Sequence, residues 1–188
     1  MKYSTHFTRF WSPSRRLLAA TALAMGLFLP PSVGAADTTS DPTAIDRPGF
    51  SMKYPAAWRE DVDAADYNAD NNFTLNSPKN SYIQFKISDK TDDLSRLVNS
   101  TVKTVDGPAI TTVSREDIYK WGPFPGEGVR LKGKILGSFP GGIVVFSFNV
   151  ENHNVLIVEY YFSDELKDLL KDIQFISENF QMKKPAMG

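Results

Sequence analysis

The sequence predicts an α+β fold, an α/β/α sandwich around a central twisted antiparallel sheet, and three observations lead to this prediction. Apolar residues alternate with a period of two over most of the chain and change to a helical period in two segments. The predicted strands follow one another through short turns, which favours antiparallel pairing. Each predicted helix has a single apolar stripe, so each helix must cover one face of the sheet.

Residues 1–36 have the pattern of a cleaved signal peptide. Four basic and no acidic residues precede an apolar run at 17–29, and small residues follow at 33–35. The run is shorter than the roughly 20 residues that a membrane-spanning helix needs. We expect a mature chain starting near Ala36 or Asp37, exported to a periplasm, a thylakoid lumen or the cell exterior. Two adjacent arginines partly match a twin-arginine signal, so both that route and the general secretory route stay open.

The charge of the predicted mature chain argues against nucleic acid and anionic membranes as partners. Removing the leader leaves 17 basic and 22 acidic residues, a formal charge of −5, whereas those partners require a basic surface. The chain has no cysteine, which excludes disulfides, thiol catalysis, thiolate metal sites and a lipid anchor on an N-terminal cysteine. We expect no transmembrane segment in the mature form.

The first half of the mature chain predicts a linker, three short strands and a helix. Residues 37–47 are polar, contain Pro42 and are followed by Pro48, which is typical of a linker, although a short irregular edge segment fits them as well. Alternating apolar residues predict strands around 50–54, 73–75 and 83–87, with Trp58 anchoring the return after the first. A helical stripe over 94–105 predicts a helix with Thr91 as its N-cap.

The second half predicts four strands and a closing helix. The strands are a long one with a bulge at 110–121, then 129–135, a central one at 143–150, and 155–162, with turns at 140–142 and 151–154. Ser163 is the expected cap of the last helix, whose apolar stripe comprises Leu166, Leu169, Leu170, Ile173, Ile176 and Phe180. We therefore expect one domain over 48–182 and a disordered tail at 183–188.

Two segments of this chain resemble the PsbP-like domain family. The opening strand ends in Tyr54-Pro55-Ala56-Ala57-Trp58, and the last strand, Glu159-Tyr160-Tyr161-Phe162, leads into a helix that ends on Ile176-Ser177-Glu178-Asn179-Phe180. The resemblance covers roughly residues 48–182. It implies the fold shared by the photosystem II extrinsic subunit and the nuclear Ran-binding factor. It also implies a non-enzymatic accessory or binding protein that contacts a protein partner or an envelope or lumenal complex, with no required cofactor.

The candidate partner-binding residues lie in and after a loop rich in proline and glycine. Trp121 and Phe124 place two large aromatic side chains in the loop 121–126, where exposed rings would form a binding hot spot. The same rings could instead fold back onto the core. Arg130, Lys132 and Lys134 share one face of the next strand and could guide an acidic partner, or be ordinary solvent-facing residues.

The candidate metal ligands lie in an acidic segment. Asp66, Asn68 and Asp70 are oxygen-bearing residues at alternate positions, as at the start of a calcium-binding loop, but the same residue types also build plain turns. Together with Asp61 and Asp63, these aspartates could also serve a carboxylate-based hydrolase. His153, the one histidine of the predicted mature chain, is expected to be a solvated turn residue.

Overall fold

The computed structural model describes residues 41–184, so the predicted signal peptide and the last four residues lie outside the described part. The two helices are α1 (Leu94–Val105) and α2 (Leu166–Glu178). The strands before α1 are β1 (Thr43–Asp46), β2 (Phe50–Tyr54), β3 (Arg59–Glu60), β4 (Asn72–Asn76) and β5 (Tyr82–Asp89). Those after it are β6 (Ile110–Trp121), β7 (Phe124–Ile135), β8 (Phe139–Val150), β9 (His153–Phe162) and β10 (Gln181–Met182).

A seven-stranded sheet in the order β3-β4-β5-β9-β8-β7-β6 forms the centre, and every neighbouring pair in it is antiparallel. Successive side chains of a strand point to opposite faces. Val145 of β8 packs in one cluster with Val102 of α1, and the next residue, Phe146, packs in another with Ile173 of α2. The two helices therefore cover opposite faces of the sheet, which confirms the predicted α/β/α arrangement.

The first strands depart from the prediction because they form a second sheet. β2 pairs with β1 and β10 and not with the central sheet. Strand β1 lies within the segment expected to be a linker. Ile45 is buried there, and Asp46 forms a 2.5 Å ion pair with Lys183. One large apolar residue in four is too weak a pattern to indicate a strand, so only the pairing with β2 makes this segment regular.

Aromatic residues fill the core between the central sheet and the layer that contains α2 and β2. Phe50 stacks on Phe73 with ring centroids 5.1 Å apart, and Phe73 stacks on Phe85 at 4.9 Å. Trp58 is buried, as expected, and its indole N–H donates to Asp172 Oδ2 at 2.8 Å. This hydrogen bond ties the return after β2 to α2.

The ends of several elements differ from the prediction. Asp93, and not Thr91, caps α1 by accepting a hydrogen bond from the Arg96 amide at 2.8 Å. The helix α2 has Glu165 at its N-cap instead of Ser163, with no side-chain cap. In the predicted stripe of α2, Leu170 is 52% exposed. The expected turn at 140–142 is part of β8.

The hairpin between β7 and β8 turns earlier, at residues 136–138, because Leu136 and Gly137 adopt the left-handed conformation with φ of 51° and 73°. Within residues 41–184, neither helix is long and apolar enough to cross a bilayer.

Candidate binding surface

Trp121 is a core residue, which corrects its prediction as an exposed binding residue. Its side chain is 4% exposed and packs in an edge-to-face contact with Phe85, with ring centroids 6.1 Å apart. Its indole N–H donates to Glu159 Oε1 on β9 at 2.7 Å. This partner lies 38 residues away in the chain, so local sequence could not reveal that the ring turns inward.

Glu159 is a buried carboxylate inside the central sheet. It is 6% exposed, and burial raises the pKa of this carboxyl to about 7, although the Trp121 hydrogen bond and the positive charge of Arg130 act in the opposite direction. A protonated carboxyl is therefore a major form near neutral pH. Its side chain lies on the same face of β9 as Ile157 and Tyr161, which pack in the cluster that contains α2.

Phe124 is half-buried, and the loop around it is shorter than predicted. Trp121 and Phe124 are paired across a two-residue turn, so β7 begins at Phe124. The ring of Phe124 stacks on Phe148 with centroids 4.4 Å apart. At Gly122, with φ of 53°, a Cβ atom would lie 2.1 Å from Ser177 Oγ on α2. This close packing places the hairpin tip against α2, so the residues 121–126 do not form a free loop.

The cationic residues of β7 keep the predicted common face but have separate surroundings. Arg130 is half-buried and forms a 3.1 Å ion pair with Glu116 on β6. Lys132 and Lys134 are exposed. Because Trp121 is buried, these cations do not flank an exposed aromatic anchor, and the combined surface proposed from the sequence is not assembled.

The loop with the predicted calcium ligands forms hydrogen bonds within itself. Asn68 Oδ1 accepts from the Asp70 amide at 3.0 Å, and the Asn72 side chain donates to the Asp66 carbonyl at 2.6 Å. The structure therefore brings these residues together as a turn. Among residues 41–184, no three His, Cys, Asp or Glu side chains converge as metal ligands.

The acidic residues considered for hydrolysis are spread along the same segment. Asp63, Asp66 and Asp70 are exposed, and Asp61 is half-buried. Three of these four carboxylates therefore lie in solvent.

His153 is the first residue of β9 and is half-buried, not a solvated turn residue as expected. Its Nδ1 atom is buried without a hydrogen-bond partner among the described residues. The side chain lines a cleft of about 520 Å³ together with Asp70 and Asp89.

A row of aromatic side chains lies at the surface on the face of the central sheet that carries α1. We call it the aromatic band, and it comprises Tyr82, Phe139, Tyr160 and Phe162. Tyr82 stacks on Tyr160 at 5.0 Å between ring centroids. Phe162 meets Tyr160 at 5.7 Å and Phe139 at 6.0 Å, both edge to face. The four rings thus form one continuous surface that crosses three strands.

The exposure of the aromatic band increases toward the hairpin between β7 and β8. Tyr82, Tyr160 and Phe162 are half-buried, whereas Phe139 is 55% exposed. Leu136, in the same hairpin, is 42% exposed and has a positive φ of 51°. This conformation is uncommon for a leucine. Two large apolar side chains are therefore held in solvent at one end of the band.

The two tyrosine hydroxyls of the aromatic band remain protonated at physiological pH. Burial, followed by the neighbouring Tyr160, raises the pKa of Tyr82 to about 12. Burial also raises the pKa of Tyr160. The band therefore combines uncharged rings with hydroxyl groups that can donate hydrogen bonds, a combination suited to contact surfaces.

Sequence reasoning did not identify the aromatic band because its members lie far apart in the chain. One signal was available in the run 159–162, where consecutive tyrosines and a phenylalanine place rings on both faces of one strand. One face of that run is covered by the layer with α2, since Tyr161 is 3% exposed. On the other face, Tyr160 and Phe162 are only half-buried.

Comparison with known proteins supports the fold. No model of a protein family matches the sequence, and no curated protein is similar to it in sequence. The structure is similar to the Saccharomyces cerevisiae Ran-binding protein Mog1p, with a TM-score of 0.50, 10% identity, and 75% of this chain and 95% of that chain covered. It is similar to Mycobacterium tuberculosis LpqN, involved in cell envelope biogenesis, with a TM-score of 0.50 and 11% identity. The match covers 77% of this chain and 91% of LpqN.

A third similar structure is the cyanobacterial PsbP of Synechocystis sp. PCC 6803, with a TM-score of 0.48 and 12% identity. The match covers 81% of this chain and 98% of the cyanobacterial protein. The similarity to Mog1p and LpqN confirms the α+β fold that the sequence resemblance implies.

Proposed function

We propose that this protein is a non-enzymatic accessory protein that binds a protein partner through the aromatic band, after export. The observation that carries this proposal is the continuous row of four rings in mutual contact that ends in Phe139, which is 55% exposed. Tyrosine and phenylalanine are enriched in protein interfaces, where rings bury a large area and lose few rotatable bonds. The partner expected for such a surface is a protein segment with apolar side chains.

The conformation of the hairpin between β7 and β8 supports the same role. Leu136 occupies the left-handed region, which costs roughly 1 kcal/mol or more for a residue with a side chain. Strained residues persist where the surrounding structure holds them and are frequent at binding sites. A polar residue or glycine would suit this solvent-exposed turn better than leucine, so the presence of leucine fits a contact role.

Export is the second part of the proposal and depends on the leader pattern alone. An accessory protein outside the cytoplasm would find its partner in the envelope or in a lumenal complex. The similarity to a protein involved in cell envelope biogenesis and to a Ran-binding protein concerns the fold, and both kinds of protein occur with that fold.

Photo-crosslinking in the organism that makes the protein tests the aromatic band. A photoreactive phenylalanine analogue in place of Phe139 should give a discrete crosslinked species. The same analogue at Leu170 is the matched control, because Leu170 is similarly exposed, at 52%, on α2, which packs against the opposite face of the sheet. Crosslinks of equal yield at both positions would contradict the proposal.

A substitution tests the energetic importance of the band. Phe139→Ser should weaken capture of the crosslinked partner about tenfold or more. Its melting temperature should stay within roughly 3 °C of wild type, because half of the side chain is already in solvent. Leu170→Ser should leave capture unchanged. Unchanged capture by the Phe139 variant would refute the assigned surface.

A further inference from the structure

Strand β6 forms a free edge of the central sheet. It is hydrogen-bonded to β7 on one side, and no described strand lies on its other side. The strand has twelve residues and is therefore roughly 40 Å long. A free edge presents a row of backbone N–H and C=O groups that can pair with another strand. Most residues of β6 are exposed, so this edge is open to solvent.

The pairing of β6 with β7 is irregular at two points, and an exposed apolar residue of β6 lies at each. Val113 is an extra residue between Thr112 and Ser114, whereas Tyr119, between Ile118 and Lys120, lies where β7 has the extra residue. These two side chains are 79% and 71% exposed, more than any other large apolar side chain in the described part of the chain. The most exposed apolar groups therefore lie six residues apart on one free edge.

Between Val113 and Tyr119, opposite charges lie symmetrically around Glu116. Arg115 precedes it and Asp117 follows it, with side chains 48% and 65% exposed. Within one chain they are only weakly paired, since Arg115 Nε lies 4.0 Å from Asp117 Oδ1. Arg115 also donates a hydrogen bond to Asn99 Oδ1 on α1 at 3.0 Å. Because about half or more of each charged side chain is exposed, both can still contact another molecule.

We propose that β6 pairs with the β6 of a second copy of this chain, in antiparallel orientation and centred on Glu116. In this register Arg115 lies opposite Asp117 of the second copy, and Val113 lies opposite its Tyr119. Each of these contacts occurs twice because of the two-fold symmetry. Cross-strand pairs of opposite charge, and aromatic pairs with β-branched residues, are stabilising.

The charges also select this register over its neighbours. If the pairing is centred instead on Arg115 or on Asp117, with the same faces of the sheet kept aligned, the two copies place Arg115 opposite Arg115 or Asp117 opposite Asp117. Like charges directly opposite each other are destabilising. In the proposed register the two Glu116 side chains face each other, but each has its own Arg130 partner at 3.1 Å.

The resulting dimer has one sheet that continues through both copies. The aromatic band involves β5, β8 and β9 and stays free in each copy. The pairing therefore does not depend on the proposed partner-binding surface, and its failure would leave that proposal intact. Because an edge contact buries a small area, we expect a reversible dimer with a dissociation constant of about 10–100 μM.

Sedimentation velocity with complementary charge variants tests the pairing. Arg115→Glu and Asp117→Lys should each weaken the wild-type dimer about tenfold or more, because each change replaces two attractive contacts with two repulsive ones. Mixing the two variants should restore a dimer. In the mixed dimer the introduced glutamate of one copy faces the introduced lysine of the other, and the unchanged Asp117 of the first copy faces the unchanged Arg115 of the second. The matched control is Lys132→Glu, an exposed charge reversal on β7 that should leave the dimer unchanged.

Tyr119→Lys provides an independent test of the apolar contact. This change should weaken the dimer about tenfold while the melting temperature and circular dichroism of the monomer stay the same, because the ring is 71% exposed. Wild-type protein that remains monomeric at about 1 mM would overturn the proposal. So would a mixture of the two charge variants that sediments no faster than either variant alone.

Discussion

Replacing Glu159 with glutamine should make this protein more stable at neutral and alkaline pH. Glutamine preserves the shape of the side chain and the oxygen that accepts the 2.7 Å hydrogen bond from the Trp121 indole. It removes the negative charge that the wild-type protein must hold in a site that is 6% exposed. Isolated buried charges are costly, so the neutral variant avoids this cost.

The size of the effect follows from the pKa of Glu159. Burial raises this pKa from an ordinary value of 4.5 to about 7 in the folded protein. Between these values the folded protein retains a proton that the unfolded chain has released, so the free energy of unfolding falls as the pH rises. The fall ends above about pH 7, where both states are ionised. At 1.36 kcal/mol for each pKa unit, the free energy of unfolding falls by at most about 3 kcal/mol over this pH range.

Urea denaturation of the wild type and of Glu159→Gln at several pH values measures this effect. The two proteins should have similar free energies of unfolding near pH 4, and the variant should be more stable by up to about 3 kcal/mol at pH 8. Glu178→Gln is the matched control, because that side chain is exposed at the end of α2. A difference between wild type and Glu159→Gln that stays constant from about pH 4 to pH 8 would refute the reasoning.

Three further predictions concern α2, calcium and the leader. Glu165→Ala should lower the free energy of unfolding, measured by urea denaturation, by about 1–3 kcal/mol. This buried carboxylate accepts hydrogen bonds from the turn between β4 and β5, including one of 2.6 Å from the Ser81 hydroxyl, so Glu165→Gln should lose less stability. If the loop residues bind calcium, millimolar Ca²⁺ should raise the melting temperature of the wild type but not of Asp66→Ala or Asp70→Ala, and no rise in the wild type would end that hypothesis. N-terminal sequencing of the exported protein should begin near Ala36 or Asp37, and a chain that retains residues 17–29 would contradict the leader prediction.

Periodicity alone was enough to predict most strands and both helices. The stretch at 143–150 is apolar on both faces, and this pattern correctly predicted a central strand covered by two layers. The stripe over 94–105 likewise gave the bounds of α1. These features are local, because the direction of each side chain follows from the geometry of its own helix or strand.

The residues of the binding surface were harder to predict from the sequence, because the surface depends on contacts between distant segments. Trp121 lies in a segment rich in proline and glycine, and only Glu159, supplied by β9, decides that the ring is buried. The aromatic band exists because β5, β8 and β9 are neighbours in the sheet, an order that no single segment encodes.

The sequence by itself therefore determined both helices, the longer strands and the sandwich arrangement, since these follow from alternation and helical stripes. The tertiary structure decided that β2 belongs to a second sheet and that β6 is an edge. It also decided which rings reach the surface: Phe139 remains in solvent, whereas Trp121 does not. The physical reason is that burial is a property of the whole packed structure, because a side chain is removed from water by residues that approach it from elsewhere in the chain.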